Sequence, residues 1–439
     1  MAYLDSLEVA HMQVGFGDLG LHGSLGYEGQ SIIVSRQHYV HALGMHPPAR
    51  VRFNLDRRFA GFKCRVALND DVPPGRSHAH FFVRADGVEV AFAPYVVAGA
   101  PPRDLSADVT GARVVELAVE TTAWDFCHAV WLDPEVSATP IDDQRRSLDD
   151  PLGRATIDLP PPQPASDCCI ATVVSNGFES WLDDLLGSLK IYGDCGEATL
   201  LVFGVDAGDG CRQIAQKHNA TYVSCRRRGN LNSTIKSILY SAAQVMPAQK
   251  FICLDADMLV LGSLRSIFAS LDVAPPGSIL ACREANGSRF TRLDTAIHTV
   301  YGGHPQDFWR LLGNYNGEGA YSLVVNDGTF AASRNALLTL EGVIRSWSAA
   351  PAWVDQRRDV WWRNQFIFNL ALAHLNCGVE LDPTFNVQLN SQDVVFAREN
   401  GRARALWHDR PVRVLHFNGR GRNKYPEWRD VFSKRAANA

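Results

Sequence analysis

The chain has 439 residues, 46% hydrophobic and 21% charged, with a net charge of −4. That length exceeds one ordinary domain and predicts two or three, and the weak negative charge gives no electrostatic case for nucleic acid or an anionic membrane as partner. No apolar run approaches the roughly 20 residues that span a bilayer. The opening MAYLDSLEVAHM lacks a basic segment followed by an apolar one, so no transmembrane segment or signal peptide is expected, and the expected location is cytoplasmic. The ten cysteines include one adjacent pair, Cys168 and Cys169, and no C-x-x-C spacing. They read as reduced core thiols rather than disulfides or a zinc site.

Residues 1 to 135 alternate short strand-like segments with Gly, Pro and Asp turns. Strands are predicted at Ser31–Val34, Arg50–Leu55, Phe62–Leu68, His80–Ala85, Val88–Phe92 and Arg113–Glu120. Ala85-Asp86-Gly87 marks a hairpin between two of them. Short strands without helical periodicity predict a β-sandwich. His38, His41 and His46 fit no single face and read as structural, and Asn69-Asp70-Asp71 reads as a turn rather than a calcium site. Tyr27, Tyr39 and Trp131 suit either a sugar platform or the core.

The segments GSLGYEGQSI (Gly23–Ile32), HYVHALGMHPPARVRFNL (His38–Leu55), LNDDV (Leu68–Val72) and DFCHAVWLDPEV (Asp125–Val136) resemble, in order, the novel carbohydrate-binding module family. The resemblance implies a jelly-roll-like sandwich over residues 1–136 of the kind that accompanies carbohydrate-active enzymes. Residues 137–167 turn polar and then proline-rich (LPPPQPAS, Leu159–Ser166), which predicts a semi-rigid linker.

From residue 168 to 439 strands and helices alternate. Strands are predicted at Cys169–Ser175, Ala198–Val205 and Ala220–Cys225, and helices at Trp181–Ile191, Gly210–His218 and Thr234–Val245. This order predicts an α/β domain with a mostly parallel sheet and helices on both faces. Ligands of such sheets lie beyond the carboxyl ends of the strands. The polar residues there are Ser175, Asn176, Asp206, Arg226–Arg228, Asp255 and Asp257.

The next strand, FICLDADMLVL (Phe251–Leu261), carries Asp255 and Asp257 in an apolar run. In extended geometry residues i and i+2 share a side. Two like charges so close call either for a compensating divalent cation or for the plainer arrangement in which one Asp caps the helix beginning near Ser263 and the other accepts backbone N–H groups in the turn. Lys236 precedes this strand by one helix. Downstream, SLVVNDGTFAASR (Ser322–Arg334) reads as a strand interrupted by Asn326-Asp327-Gly328. WWRNQFIFNLAL (Trp361–Leu372) opens a helix with Asn364 and Gln365. RVLHFNGRGRNKYPEW (Arg413–Trp428) is a strand ending in His416, followed by Gly419, Gly421, Arg420, Arg422 and Lys424. Neither a dinucleotide fingerprint nor a P-loop is present.

Together these segments resemble glycosyltransferase family 8, the glycogenin and bacterial lipopolysaccharide galactosyltransferase group, which has a GT-A fold. FICLDADMLVLGSL matches its metal-binding strand, Lys236 its upstream Lys, and Asn326-Asp327-Gly328 its Asn-x-Gly. Asn364-Gln365 through Asn369 matches its Asp-Gln-x-x-x-Asn, with Asn364 in place of the Asp. His416 to Gly419 opens its His-x-x-Gly-x-x-Lys-Pro-Trp motif. Arg422 stands at the family's Lys position and Lys424 two residues later, so either cation is a candidate for the diphosphate.

The resemblance implies a retaining transferase that uses a nucleotide sugar, most simply a UDP-sugar, and a carbohydrate or glycoconjugate acceptor. The implied metal ligands are Asp255, Asp257 and His416. Hard oxygens suit Mn2+ or Mg2+, and the imidazole favours Mn2+. Ser175, Asn176, Lys236, Asp255, Gly419 and Arg422 or Lys424 would hold the donor, and Gln365, Asn326 and Asp327 the reacting face. The segment Ala285–Gly319 would shape the acceptor pocket. Two rivals stand beside this reading. A sugar nucleotidyltransferase needs a Gly-rich basic loop after its first strand, which VVSNGFESW lacks. A non-catalytic sugar-binding protein with a degenerate transferase domain is favoured by the altered Lys motif and disfavoured by Asp255, Asp257, His416 and Gln365 occurring together.

Overall fold

The computed structural model describes residues 1–140, 147–228, 235–285, 324–348, 363–399 and 402–433. Two compact units emerge: Met1–Arg146 with Pro160–Ala165, and Ser147–Leu159 with Ser166–Ala439.

The first unit is a sandwich of two antiparallel sheets. One runs Arg103–Asp108, Gly61–Leu68, Ala129–Ser137, Ala42–His46, Phe16–Gly20, with Ala2–Tyr3 also paired to Ala129–Ser137. The other runs Val88–Val97, His78–Ala85, Val114–Glu120, Ala49–Asn54, Val9–Gln13. Alternation drives this packing: in Ala49–Asn54 every second residue is buried, and Arg50 and Arg52 between them are exposed. Inward residues from both sheets, among them Phe53, Phe62, Phe81, Leu117 and Trp131, form one core, and Phe81 meets Trp131 edge-on at 5.1 Å. The Asp86-Gly87 hairpin is present, with φ of 48° and 84° at its two central residues, as a two-residue turn matched to strand twist requires.

His38, His41 and His46 do not converge on one another. His38 is exposed, His41 faces the Asp5 carboxylate at 3.2 Å, and His46 contacts the Pro47 carbonyl oxygen. Asn69 and Asp70 accept backbone N–H groups of Ile33, Ser35 and Arg36, which is turn work. Trp131 and Tyr39 are core, whereas Phe16, Trp124 and Phe126 are the large aromatics left exposed.

Glu116 is buried between Arg52 and Arg84, each donating at 2.7 Å. Burial raises its pKa, but the two guanidinium bonds outweigh burial and hold it below its ordinary 4.5. A depressed folded-state pKa contributes stability above the unfolded value and loses it as pH falls through the folded value. We therefore expect Glu116→Gln to destabilise the full chain by about 1–3 kcal/mol at pH 7. The gap to wild type should narrow as pH falls below the ordinary 4.5 and close as it passes through the depressed folded-state value. Calorimetric melts showing a gap independent of pH would refute this.

The second unit is built on a nine-stranded sheet. Its order is Ser147–Asp149, Ala155–Asp158, Thr221–Arg227, Thr199–Val205, Ser166–Ser175, Ala248–Asp255, Val325–Ser333, Ile279–Arg283, Gly378–Glu380. The four strands from Thr221–Arg227 to Ala248–Asp255 are mutually parallel. Both flanks bring in antiparallel pairings, so the sheet is mixed rather than mostly parallel. Helices lie on both faces. Ile252, Leu254 and Ala331 pack with Leu182, Leu185 and Ile267 from helices Glu179–Tyr192 and Arg265–Val273. On the other face Phe330 meets Phe368 of helix Arg363–Leu375 at 4.9 Å.

Three local expectations change. Residues 137–167 are not a plain spacer: four of the prolines cluster in 160–164, Pro151 falls in a turn, and Ser147–Asp149 and Ala155–Asp158 on either side of it add a hairpin to the sheet edge. The helix expected over Thr234–Val245 is a 3-10 segment, Ile235–Ser241, with a single α-turn after it. Asn326-Asp327-Gly328 does not interrupt its strand; Val325–Ser333 runs through it, with a bulge against Ile279–Arg283. The stretch Ala285–Gly319, expected to shape an acceptor pocket, lies outside the described residues apart from Ala285. Among the described residues no helix is long and apolar enough to cross a membrane.

Candidate functional site

Strand Ala248–Asp255 ends at Asp255, and the chain bends at Ala256-Asp257 before re-entering extended geometry as Met258–Val260. The two carboxylates therefore converge across a bend, not along one continuous strand. Met258–Val260 belongs to a small sheet whose centre is Val414–His416, with Met258 opposite His416. The Phe417 N–H also donates to the Asp257 carbonyl at 2.9 Å. This pairing delivers the imidazole to the aspartates from far along the chain.

His416 Nε2 lies 3.4 Å from Asp255 Oδ2 and 3.5 Å from Asp257 Oδ1. One ligand atom from each of the three residues lies within 4.8 Å of the others. His416 Nδ1 is 2.9 Å from Asn386 Oδ1. An amide carbonyl only accepts, so the Nδ1 proton points at Asn386 and Nε2 turns to the carboxylates. A carboxylate pair, Asp257 buried and Asp255 partly so, with an imidazole so oriented fits a divalent cation that takes oxygen and nitrogen donors, and the group could bind one.

The site also carries its own cations. Lys236 Nζ bridges Asp255 Oδ2 at 2.9 Å and Asp327 Oδ1 at 2.8 Å. Arg422 donates from Nε and Nη2 to Asp257 Oδ2 at 2.9 and 2.7 Å while half of its side chain stays exposed. Its guanidinium also lies 5.6 Å from the Phe178 ring centre. Burial alone would lower the His416 pKa, but the two aspartates reverse that and push it up to about 9. Burial works against ionisation of Asp257 too, yet His416 and Arg422 hold its pKa well below the usual carboxylate range.

A second set of polar residues extends from this corner. Asn386 Nδ2 donates to Asn326 Oδ1 at 2.9 Å, and Asn326 Nδ2 donates to Glu284 Oε2 at 2.9 Å. Gln365 Nε2 donates to the same Glu284 oxygen at 2.6 Å. A continuous hydrogen-bonded path thus runs from His416 through Asn386 and Asn326 to Glu284 and Gln365. Asn369, one turn after Gln365, binds both the N–H and the carbonyl of Val325, at 2.8 and 2.9 Å, and so fixes the strand to the helix. Glu284 and Asn386 carried no signal in the sequence: each is one polar residue at a strand or turn end, and only pairing across the fold gives it a role. Arg154, from the added hairpin, is likewise buried, with Nη2 at 2.5 Å from Ser237 Oγ and 3.0 Å from Asn364 Oδ1. It braces the neighbours of both Lys236 and Gln365.

The remaining residues of the sequence-based set are less central. Val173 pairs with Asp255, which carries Ser175 and Asn176 to the same sheet edge; Asn176 Oδ1 accepts the Gly208 N–H at 2.6 Å. Arg226, Arg227 and Arg228 pair with Asp158, Asp206 and Asp149 respectively. Gly419 has φ +51° and opens the six-residue 3-10 turn Gly419–Lys424 that carries Arg422. Lys424 is exposed and, among the described residues, makes no hydrogen bond or ion pair. Tyr425 anchors the turn, stacking on Trp181 at 3.3 Å and donating to the Asp184 carboxylate.

A family model, the NPCBM/NEW2 domain, matches residues 1–137. No curated protein matches the chain. Among solved structures, the chain is similar to the CBM51-2 and INT domains of Clostridium perfringens ZmpB, at 20% identity over 30% of this chain and 30% of that one, TM-score 0.28. The chain thus spans under a third of that structure's length. It is also similar to apo mouse xyloside xylosyltransferase 1, at 15% identity over 58% of this chain and 99% of that one, TM-score 0.36. A third is the galactosyltransferase LgtC in complex with donor and acceptor sugar analogues, at 14% identity over 57% and 87%, TM-score 0.36.

Proposed function

We propose that the second unit is a metal-dependent glycosyltransferase of the family 8 kind, with a GT-A fold. It would move a sugar from a nucleotide donor, a UDP-sugar, to a carbohydrate or glycoconjugate, with residues 1–136 as an accompanying carbohydrate-binding module. The observation that carries the reading is the convergence of Asp255, Asp257 and a correctly turned His416 beside Arg422. The Asp255–Asp257–His416 group would hold Mn2+ or Mg2+, which when bound offsets the charge that develops on the leaving diphosphate.

The chain's own residues supply the rest. Arg422 presents a planar two-donor face on an exposed side chain, the geometry that suits a diphosphate. It is therefore preferred to Lys424 for that contact. Ser175 and Asn176 edge the nucleotide side, with Gly419 setting the turn that aims Arg422. Gln365, held by Glu284, and Asn326 would orient the donor sugar, in keeping with retention at the anomeric carbon. Asp327 and Lys236 bound the same corner.

The competing reading is a metal-free ion-pair cluster in a non-catalytic sugar-binding protein, favoured by Lys236 and Arg422 already sitting on the aspartates. Incubating the full chain with Mn2+ and a panel of UDP-sugars separates the two. We expect metal-dependent UDP release with at least one donor. Neither UDP release nor Mn2+-dependent UDP binding from any of them would reject the transferase.

A further inference from the structure

Lys236 is an odd occupant for a metal corner. Its ammonium lies 2.9 Å from Asp255 Oδ2, the oxygen that His416 Nε2 faces, so it competes directly with any divalent cation. It cannot withdraw to solvent either, because its side chain is only 11% exposed. Arg422, by contrast, is half exposed and can leave Asp257 without crossing the protein interior.

Asp327 resolves the conflict. One of its oxygens holds Lys236 at 2.8 Å, while the other, Oδ2, is buried and has no hydrogen-bond partner among the described residues. Strand alternation explains its aim: Asn326 and Gly328 face the His416 side, where Asn326 Oδ1 accepts from Asn386 and Gly328 abuts the imidazole. The residue between them points the other way. A metal-ligating imidazole must be unprotonated at the ligating nitrogen, here His416 Nε2. The three carboxylates of Asp255, Asp257 and Asp327 then balance Lys236 plus one divalent cation once Arg422 swings out, and the corner is neutral. Without the Asp327 charge, a buried ammonium and a divalent cation would face only two carboxylates, an uncompensated arrangement in a low-dielectric site.

We propose that Asp327 is the counter-charge that lets Lys236 and a divalent cation share this corner, retaining the ammonium when Asp255 turns to the cation. The inference rests on the metal reading of Asp255, Asp257 and His416. Its test is Mn2+ affinity, measured calorimetrically on the full chain without donor or acceptor, with thermal melts to verify folding.

Asp327→Asn, which keeps the shape, should weaken Mn2+ binding by about tenfold or more. Lys236→Met should bind Mn2+ at least as tightly as wild type, and Asp327→Asn with Lys236→Met should return to within about threefold of it, the signature of two coupled sites. Unchanged affinity in Asp327→Asn overturns the inference, as does a double variant no tighter than that single one. Wild-type protein that binds no Mn2+ overturns the metal reading as well. Loss in Asp257→Asn with none in Asp327→Asn sinks the Asp327 role alone.

Discussion

Asp257→Asn in the full chain should abolish Mn2+-dependent UDP binding and leave both units folded. Asp257 is only 4% exposed yet stays strongly acidic because His416 and Arg422 together outweigh its burial. An amide of the same shape keeps one oxygen for Arg422 but removes the charge that a divalent cation needs. Losing a direct ligand charge should cost more than the 10–100-fold typical of outer-shell partners, so on the order of 100-fold or greater is expected. The structural cost is smaller. The Phe417 N–H bonds the Asp257 main-chain carbonyl, which the substitution does not touch, and half-exposed Arg422 can turn back to water. The check is Mn2+-dependent UDP affinity beside a circular-dichroism melt. Wild-type affinity would remove Asp257 from the ligand set.

Gly328→Ala should be nearly as damaging, although it adds one methyl group and touches no charge. A Cβ at this position would lie 2.5 Å from His416 Cε1, 2.7 Å from His416 Nδ1 and 2.7 Å from Asn326 Oδ1. None of these can yield cheaply. The imidazole is pinned by Asn386, Asn326 is held by Asn386 and Glu284, and the strand is paired on both sides. Overpacking of this kind costs about 1–3 kcal/mol. The methyl also drives His416 off its position beside the aspartates, so Mn2+ affinity should fall by about 100-fold. Gly187→Ala is the matched control: its nearest neighbour, His218 Cε1, would be 3.8 Å from the new carbon. It sits inside helix Glu179–Tyr192, where alanine is favoured by roughly 1 kcal/mol. Gly328→Ala protein that binds Mn2+ like wild type would show that His416 has room the structure does not offer.

Local pattern carried a good deal of this architecture. Period-two alternation located several sandwich strands, and Asp86-Gly87 located a tight turn, because side-chain alternation and positive φ are properties of neighbouring residues. It missed Ala42–His46 and Arg103–Asp108: the first is buried at every position, and the second is short and polar, so neither alternates cleanly. Alternating strands and helices likewise announced the parallel centre of the second sheet. The direction of Val325–Ser333 was not legible, since whether a strand runs with or against its neighbour depends on the path between them, not on its own residues.

The site divides the same way. Asp255, Asp257, His416, Lys236, Arg422 and Gln365 were visible as residue types at suggestive places, since buried carboxylates and a strand-end imidazole are chemically expensive wherever they fall. Their partners were not visible. Lys236 reads as a cation for phosphate until the fold buries it between two aspartates. Glu284, Asn386 and Arg154 acquire meaning only through contacts with residues 30 to 210 positions away. Sequence alone determined which chemistry the chain can hold, because that follows from side-chain type and local period. Tertiary structure alone decided which charges face each other, because distance and burial set the strength of every one of those interactions.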